Sequence, residues 1–263
     1  MRSGDFWLVS RAWSTPSGFV GGAKMVFRVL GSVLAGKKDT GLGMSMAAWL
    51  QYLAKVKQGT EVRLSTPVTD LVMEDGRVIG AVVNGPDGQR RIRTRAGVVF
   101  GAGGFESNKE MRQEYQGIDG APSGSPSNDG SAIRIGMAHG ADVALLDDAW
   151  WGPSVMAPAG GDPTFIVSER SMPFSICVDQ TGKRFVNEST SYVDFGHAMQ
   201  SNGLDITNPA WMILDVRHRR RYLNNAFLTG AKALYEQGIA VKADTLEELA
   251  EKTGMDKTVF KET

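Results

Sequence analysis

The sequence has few of the residues that build disulfides and structural metal sites. Its 263 residues include one cysteine, Cys177, so no disulfide can form within the chain. The three histidines are scattered and have no cysteine partners at the spacing of zinc ligands, and we therefore expect no metal site.

An excess of charge of one sign is also missing. The chain has 29 Lys and Arg against 29 Asp and Glu, a net charge of zero at pH 7, so no general positive field would attract nucleic acid. The basic cluster Arg217–Arg221 is therefore interpreted as a solvated helix face. No uninterrupted apolar run approaches the roughly 20 residues that cross a bilayer. We expect no membrane span and a cytoplasmic location.

Glycine, by contrast, is abundant. The chain has 32 glycines, well above the average usage of about 7%, and such an excess indicates tight turns where backbone comes close to a ligand. Hydrophobic residues make up 42% and charged residues 22%, the composition of an ordinary globular protein.

Local patterns predict both helices and strands, and hence an α+β (mixed α/β) fold class. The apolar spacing from Ser45 to Gln58 predicts a helix that ends at Gly59, whereas the first forty residues have no sustained period and are expected to be irregular. An antiparallel meander should follow, with turns at Asp75-Gly76 and Pro86-Asp87-Gly88. Its predicted strands are Glu61–Ser65, Val68–Met73, Arg77–Asn84 and Gln89–Arg95.

A glycine turn lies near the middle of the chain. The apolar run Val98–Phe100 predicts a central strand buried on both faces. Gly101-Ala102-Gly103-Gly104 follows directly, and then a helix that opens at Ser107–Glu110 with capping-box spacing. Strand, glycine turn and helix form the context in which a dinucleotide can lie against backbone, although the turn alone is also typical of a simple connection. Asp129–Gly140 is a second predicted helix.

Asp147–Pro153 interrupts all periodicity, and we place a domain boundary there, between residues 1–150 and 151–263. The second part should contain two strands, Pro173–Asp179 and Ala210–Leu214. Its predicted helices are Ser191–Ser201, Arg217–Asn224 and Thr245–Lys252, with a further helix that begins after Asp256.

The most specific segment of the chain runs from Gly182 to Tyr192 and reads GKRFVNESTSY. Arg184 and Glu188 are four residues apart, a spacing that suits mutual support. From the residues alone, the two form a structural ion pair at a turn, and Tyr192 is an amphipathic residue at the start of a helix.

Three ordered landmarks resemble the second half of the FAD site in the fumarate reductase and 3-ketosteroid dehydrogenase flavoproteins, the FAD-dependent oxidoreductase 2 superfamily. They are Thr66–Leu71, Gly97–Asn108 and Asn128-Asp129-Gly130, in which Asn128 replaces the leading glycine of the pattern. The segment Gly182–Tyr192 resembles the active-site signature of the same superfamily. The resemblance covers roughly Ser45 to Thr263.

The resemblance implies FAD as the cofactor and assigns residues to its site. The strand with Val68 would offer backbone groups to the adenine. Ala102, Gly103 and Gly104 would pack by the ribose and pyrophosphate, and Asp129 would lie beside the cofactor. Residues 1–150 would then form a partial FAD-binding, Rossmann-like domain with a β-meander, and residues 151–263 an incomplete α+β substrate-capping domain.

The resemblance also implies the chemistry. Fumarate reductases have an arginine proton donor where this chain has Tyr192, whereas ketosteroid dehydrogenases have a tyrosine. The catalytic residues would be Tyr192, Arg184 and Glu188, with Tyr192 as the base in the formation of a C=C bond next to a ketone of a small, apolar, steroid-like substrate. Trp150 and Trp151, which composition alone assigns to the core, would lie near that substrate. The electron acceptor is left open.

Two alternatives remain at this point. The protein could be a fumarate reductase-like reductase of another enone or enoate, a reading that Tyr192 disfavours. It could also be a truncated, non-catalytic fragment, because no strand followed by Gly-x-Gly-x-x-Gly, the element that holds the FAD pyrophosphate, is present. On that basis we expect the isolated chain to be inactive and to bind FAD weakly, with the missing parts of the same flavoprotein as its partner.

Overall fold

A computed structural model describes residues 11–37, 41–118, 122–158, 161, 163–222 and 224–263. The chain divides into two compact units, one formed by Trp49–Ala149 and the other by Met1–Ala48 with Trp150–Thr263. One division therefore falls within a residue of position 150. The assignment of residues 1–150 and 151–263 to cofactor and substrate domains stays a prediction.

The expectation of an irregular N-terminal region is wrong, because a long helix, α1, spans Pro16–Leu34. Its start carries ordinary helix signals: the Thr15 side chain accepts a hydrogen bond from the Gly18 N–H, and Pro16 occupies the first helical position. The glycines inside the helix hid this period in the sequence. By length and composition α1 could cross a membrane, a test that core helices of soluble proteins also pass.

The helix predicted from Ser45 is confirmed, although it begins three residues earlier. Helix α2 spans Leu42–Tyr52 and continues as a π-helical turn over Leu53–Lys57. Gly59 follows with a φ of +66°, the left-handed conformation expected after a helix end.

The predicted meander forms, with one strand fewer. Strands β1 (Val68–Glu74), β2 (Arg77–Gly85) and β3 (Gly88–Arg93) pair antiparallel in that order. Both turn residues between β1 and β2, Asp75 and Gly76, have positive φ. The segment Glu61–Ser65, predicted as a strand, is irregular and exposed.

The prediction of a buried central strand at Val98–Phe100 is wrong. These residues are irregular, and Val99 is 95% exposed. A strand needs neighbouring strands that share its backbone hydrogen bonds, and within the described residues the meander is complete without this segment. Helices α3 (Lys109–Gln116) and α4 (Ser131–Ala138) follow, each close to its predicted position.

The unit that includes Trp150–Thr263 is mixed in structure. Its elements, in chain order, are strands β4 (Ser154–Val155) and β5 (Thr164–Phe165), a 3₁₀ turn at Glu169–Ser171, strand β6 (Ser175–Val178), helix α5 (Tyr192–Ser201), strand β7 (Trp211–Leu214), and helices α6 (Val216–Arg221), α7 (Asn225–Glu236), α8 (Leu246–Thr253) and α9 (Lys257–Glu262). Strands β4 and β5 form one antiparallel pair and β6 and β7 another. A core of buried residues, among them Val178 and Phe260, joins the second pair to α8 and α9.

Most predicted elements of this unit are confirmed, including the helix after Asp256, whereas α7 and the β4–β5 pair were not predicted. Two burial expectations need correction. Trp150 is 87% exposed rather than part of the core, and His218, inside the cluster interpreted as a solvated face, is fully buried. His218 lies on the inner side of α6, where its Nε2 is 3.2 Å from the Glu169 carbonyl oxygen.

Candidate active site and cofactor site

The Arg184–Glu188 pair predicted from the sequence is present and well formed. The Arg184 guanidinium donates from Nε to Glu188 Oε1 at 3.0 Å and from Nη2 to Oε2 at 2.6 Å. The backbone N–H of Cys177 on β6 donates to the same Oε1 at 2.8 Å. Glu188 therefore ties its own loop to the neighbouring strand.

The surroundings of Glu188 keep it ionised. Burial alone would raise the pKa of its carboxyl group, but the hydrogen bonds from Arg184 and from the Cys177 N–H outweigh that effect, and the pKa lies below its ordinary value. Since both carboxylate oxygens are engaged, the arrangement favours a supporting function over proton transfer. The Cys177 thiol is buried on β6, and this burial raises its pKa to about 12, so it is not a nucleophile near neutral pH.

Tyr192 is the first residue of α5 and is half-buried. The preceding Ser191 caps the helix, its side-chain oxygen accepting a hydrogen bond from the Val193 N–H at 3.3 Å. The Tyr192 ring meets the ring of Phe165 on β5 edge-to-face, with centroids 5.7 Å apart and an interplanar angle of 83°. Phe165 thus forms an aromatic wall against the Tyr192 ring, which carries the candidate base.

Two glycines allow the aromatic segments around Tyr192 to pack closely. A Cβ at Gly196, on α5, would overlap the Cβ of Trp151, and a Cβ at Gly152 would overlap the ring of Phe165. The spacing of Gly196 from Tyr192, one turn along the same helix, is the signal in the sequence that could have identified this contact.

A buried arginine that sequence analysis did not single out lies behind the Tyr192 loop. Arg170, on the 3₁₀ turn, is 3% exposed. Its Nη2 donates to the Thr190 carbonyl oxygen at 2.9 Å, and its Nη1 donates to the carbonyl oxygen of Glu188. These partners are 20 and 18 residues away in the chain, too far for any local pattern to reveal them.

In the Trp49–Ala149 unit, the structure brings together two of the predicted cofactor landmarks. The Gly130 N–H donates to the Gly104 carbonyl oxygen at 3.0 Å, so the glycine turn and the loop Asn128–Gly130 lie side by side. Gly103 has a φ of +78°, and a Cβ there would overlap the side-chain oxygen of Asn128. Gly101, Ala102 and Gly103 are exposed, which leaves their backbone open to a ligand.

Asp129 and Val68 belong to the same unit. Asp129 is exposed, and the Ser131 N–H donates to its Oδ1 at 2.9 Å; this hydrogen bond lowers the pKa of its carboxyl group. Val68 is half-buried at the start of β1, opposite Val83 of β2. The assignment of these residues to FAD, like that of Ala102, Gly103 and Gly104, stays a prediction.

Within the described part of the chain, no group of three His, Cys, Asp or Glu side chains is placed so that it could hold a metal ion.

Comparison with known proteins adds independent information. A protein family described as "FAD binding domain" matches residues 19–263. A 3-oxosteroid 1-dehydrogenase of Mycolicibacterium smegmatis is 40% identical over 265 residues, which cover 94% of this chain and 46% of that protein. A 3-oxosteroid 1-dehydrogenase of Mycobacterium tuberculosis H37Rv is 37% identical over 257 residues, covering 91% of this chain and 45% of that protein.

The solved structures agree with the sequence matches. The crystal structure of 3-ketosteroid delta1-dehydrogenase from Sterolibacterium denitrificans, in complex with 1,4-androstadiene-3,17-dione, matches with a TM-score of 0.83 and 32% identity. The match covers 100% of this chain and 50% of that one. The chain thus spans about half the length of the relatives that it matches.

Proposed function

The chain belongs to the FAD binding domain family, and we propose that it takes part in the flavin-dependent dehydrogenation of a 3-ketosteroid. In the reaction a C=C bond forms next to the ketone, and the names of the relatives favour carbon 1 as the site of oxidation. The observation that carries the proposal is the placement of Tyr192. Tyr192 is the first residue of a capped helix, it follows a loop that is held by buried side chains, and its ring packs edge-to-face on the ring of Phe165.

The residues of the glycine turn fit the nucleotide part of FAD. A flat or hydroxylated group can approach the exposed backbone of Ala102 and Gly103 because no side chain covers it. The ionised Asp129 suits ribose hydroxyl groups as a hydrogen-bond acceptor but would repel a phosphate. We therefore assign Gly101–Gly104 and Asp129 to the ribose side of the site.

Each group of the chain then has a defined task in the reaction. When bound, FAD supplies the acceptor for the hydride that leaves carbon 1. The Tyr192 oxygen takes the proton from carbon 2, which the neighbouring ketone makes acidic. The C–H electron pair at carbon 2 becomes the new double bond. Phe165 presents an apolar ring against the ring of Tyr192. Arg184 and Glu188 hold the loop through their hydrogen bonds to each other and to the Cys177 N–H.

The reduction of fumarate is the competing chemistry within the superfamily. A dicarboxylate substrate calls for a cationic proton donor, and the resemblance places such an arginine at the position of Tyr192. A phenol whose ring packs on an apolar ring suits a neutral ketone instead. We infer that a steroid-like ketone is the substrate class.

The proposal is tested by offering both substrate classes to the same protein. The chain is assayed with FAD as a chimera in which it replaces the matching half of the M. smegmatis relative, and the isolated chain, which we expect to be inactive, is the comparison. In the chimera, androst-4-ene-3,17-dione should bleach the flavin without oxygen and gain one C=C bond by mass spectrometry. Prereduced protein should leave fumarate unchanged. Reduction of fumarate together with inertness toward every 3-ketosteroid would overturn the proposal.

A further inference from the structure

The buried guanidinium of Arg170 has unusual partners. A buried cation is normally paired with a carboxylate, yet the two described hydrogen bonds of Arg170 go to backbone carbonyl oxygens, those of Glu188 and Thr190. Burial lowers the pKa of the Arg170 guanidinium, and the Glu188 carboxylate opposes this effect. An apolar side chain would fill this space without the desolvation cost of a charge, so we looked for a function of the guanidinium in the residues that it contacts.

The positions of the two carbonyls suggest that reason. They flank Ser189, so that the planar guanidinium fixes the loop at two points just before Tyr192. The same guanidinium lies 4.9 Å from the centre of the Phe195 ring, on the first turn of α5. Arg170 therefore contacts the chain on both sides of Tyr192 without reaching its ring in any described contact.

The backbone of the 3₁₀ turn that carries Arg170 is held by hydrogen bonds of its own. The Ser175 hydroxyl donates to the Arg170 carbonyl oxygen at 3.0 Å, and the Ser171 hydroxyl donates to that of Ser168 at 2.9 Å. The buried His218 ring lies against the Glu169 carbonyl oxygen. The 3₁₀ turn is thus held in place by these contacts, and the guanidinium extends from it to the Tyr192 loop.

We propose that Arg170 is a positioning residue for Tyr192. It fixes the start of α5, which carries the base, in its position relative to the rest of this unit. This inference rests on the proposed function, because positioning matters for catalysis only if Tyr192 is the base. Arg184 does a different job, since it holds the side chain of Glu188 whereas Arg170 holds the backbone on either side of Ser189.

The first test needs no turnover and uses the full chain. Hydrogen exchange is measured in the parent, Arg170→Lys and Arg170→Met, with Arg112→Met, a buried arginine of the other unit, as the matched control. The backbone N–H groups of Thr190 and Phe195 donate to the carbonyl oxygens of Asn187 and Ser191. Both should exchange about 10- to 100-fold faster in Arg170→Met, because the two charge-assisted hydrogen bonds of the guanidinium are lost. The β6–β7 ladder should keep its protection.

A spectroscopic arm reports on Tyr192 itself. With 3-fluorotyrosine at position 192, the parent and Arg112→Met should give one sharp ¹⁹F resonance, and the Arg170 variants a broadened or multiple one. Arg170→Lys keeps the charge and serves if Arg170→Met fails to fold. Unchanged Thr190 and Phe195 protection with a single resonance would overturn the proposal, as would an equal loss of protection throughout the unit.

Turnover separates this inference from the proposed function. In the chimera loaded with FAD, Arg170→Lys should lower kcat about tenfold and leave the KM for steroid within about twofold, because the guanidinium is buried and is bonded to the loop backbone. If Tyr192→Phe leaves flavin reduction unchanged, the proposed function fails, and with it positioning for catalysis. If Tyr192→Phe is slow but Arg170→Lys matches the parent, only the positioning proposal fails.

Discussion

The Tyr192 loop and the glycine turn are held in place by different means. The loop is fixed by buried, charged side chains, Arg170 and Glu188, whose partners lie in the same unit. The turn at Gly101–Gly104 is joined to the loop Asn128–Gly130 by the backbone hydrogen bond from the Gly130 N–H to the Gly104 carbonyl oxygen, and most of it is exposed. Under the proposed function, the Tyr192 loop carries the proton transfer, which needs a precisely positioned atom, and the glycine turn binds the cofactor through its backbone.

This difference teaches where substitutions should act. A change in the Tyr192 loop removes a specific group, so its effect should be large and confined to the chemical step or to the stability of that unit. A change in the glycine turn adds atoms or removes one exposed contact. Its effect should appear in the affinity for the cofactor and should be smaller than that of a change in the Tyr192 loop.

The largest effect should come from the base. Tyr192→Phe keeps the ring and its packing on Phe165 but removes the hydroxyl, so flavin reduction by a 3-ketosteroid should slow by roughly 10²–10⁴-fold, the usual loss for a general base. Steroid binding should persist, as measured by the change in the flavin spectrum on titration. Phe165→Leu is a useful control, because it alters the aromatic wall and keeps the oxygen.

The next effect concerns Glu188. Glu188→Ala leaves the Cys177 N–H without its acceptor and frees the Arg184 guanidinium, so the unit should lose about 1–3 kcal/mol of unfolding free energy. Glu188→Gln keeps an acceptor and should lose less. Urea unfolding of both variants measures the difference. An equal unfolding free energy of Glu188→Ala and the parent would show that the Arg184–Glu188 pair does not stabilise the unit.

The same pair makes a prediction about pH. Because the pKa of Glu188 is lowered in the folded protein, its contribution to stability is present above the ordinary glutamate pKa of about 4.3 and is lost as the pH falls through the lower, folded value. The stability gap between the parent and Glu188→Gln should therefore shrink below about pH 5. A gap that stays constant down to the acid transition would contradict the lowered pKa.

The sequence predicted the Tyr192 loop better than the glycine turn region for a physical reason. Arg184 and Glu188 are four residues apart, so their contact is local and visible in the sequence. Arg170 acts over 18 and 20 residues and was missed. Val98–Phe100 was predicted as a strand because apolar composition can be read locally, whereas strand pairing depends on distant partners.

In the glycine turn, Gly103→Ala can be compared with Gly117→Ala. Both glycines have positive φ, but a Cβ at Gly103 would overlap the Asn128 side chain, whereas at Gly117 no atom of the described residues lies within 4 Å. The backbone strain is similar, so Gly103→Ala should cost about 1 kcal/mol more, the contribution of the Asn128–Glu106 hydrogen bond that must shift. Urea unfolding checks this, and equal costs would mean that Asn128 moves freely.

The smallest effect is expected at Asp129. Asp129→Asn keeps an oxygen for the Ser131 N–H, so stability should change by less than about 0.5 kcal/mol. FAD affinity should fall a few-fold, because a charged acceptor for a ribose hydroxyl becomes a neutral one. Fluorescence titration with FAD measures it, and Asp142→Asn, at another exposed aspartate of the same unit, is the control.

The central claim is that the Tyr192 oxygen takes the proton next to the ketone while hydride leaves the adjacent carbon. The most direct measurement is single-turnover flavin reduction by a 3-ketosteroid with and without deuterium at carbon 2, in the parent and in Tyr192→Phe. We expect the deuterated steroid to reduce the flavin of the parent more slowly than the undeuterated one, and we expect reduction to be far slower in Tyr192→Phe. Equal rates with both steroids, together with a Tyr192→Phe variant as fast as the parent, would contradict it.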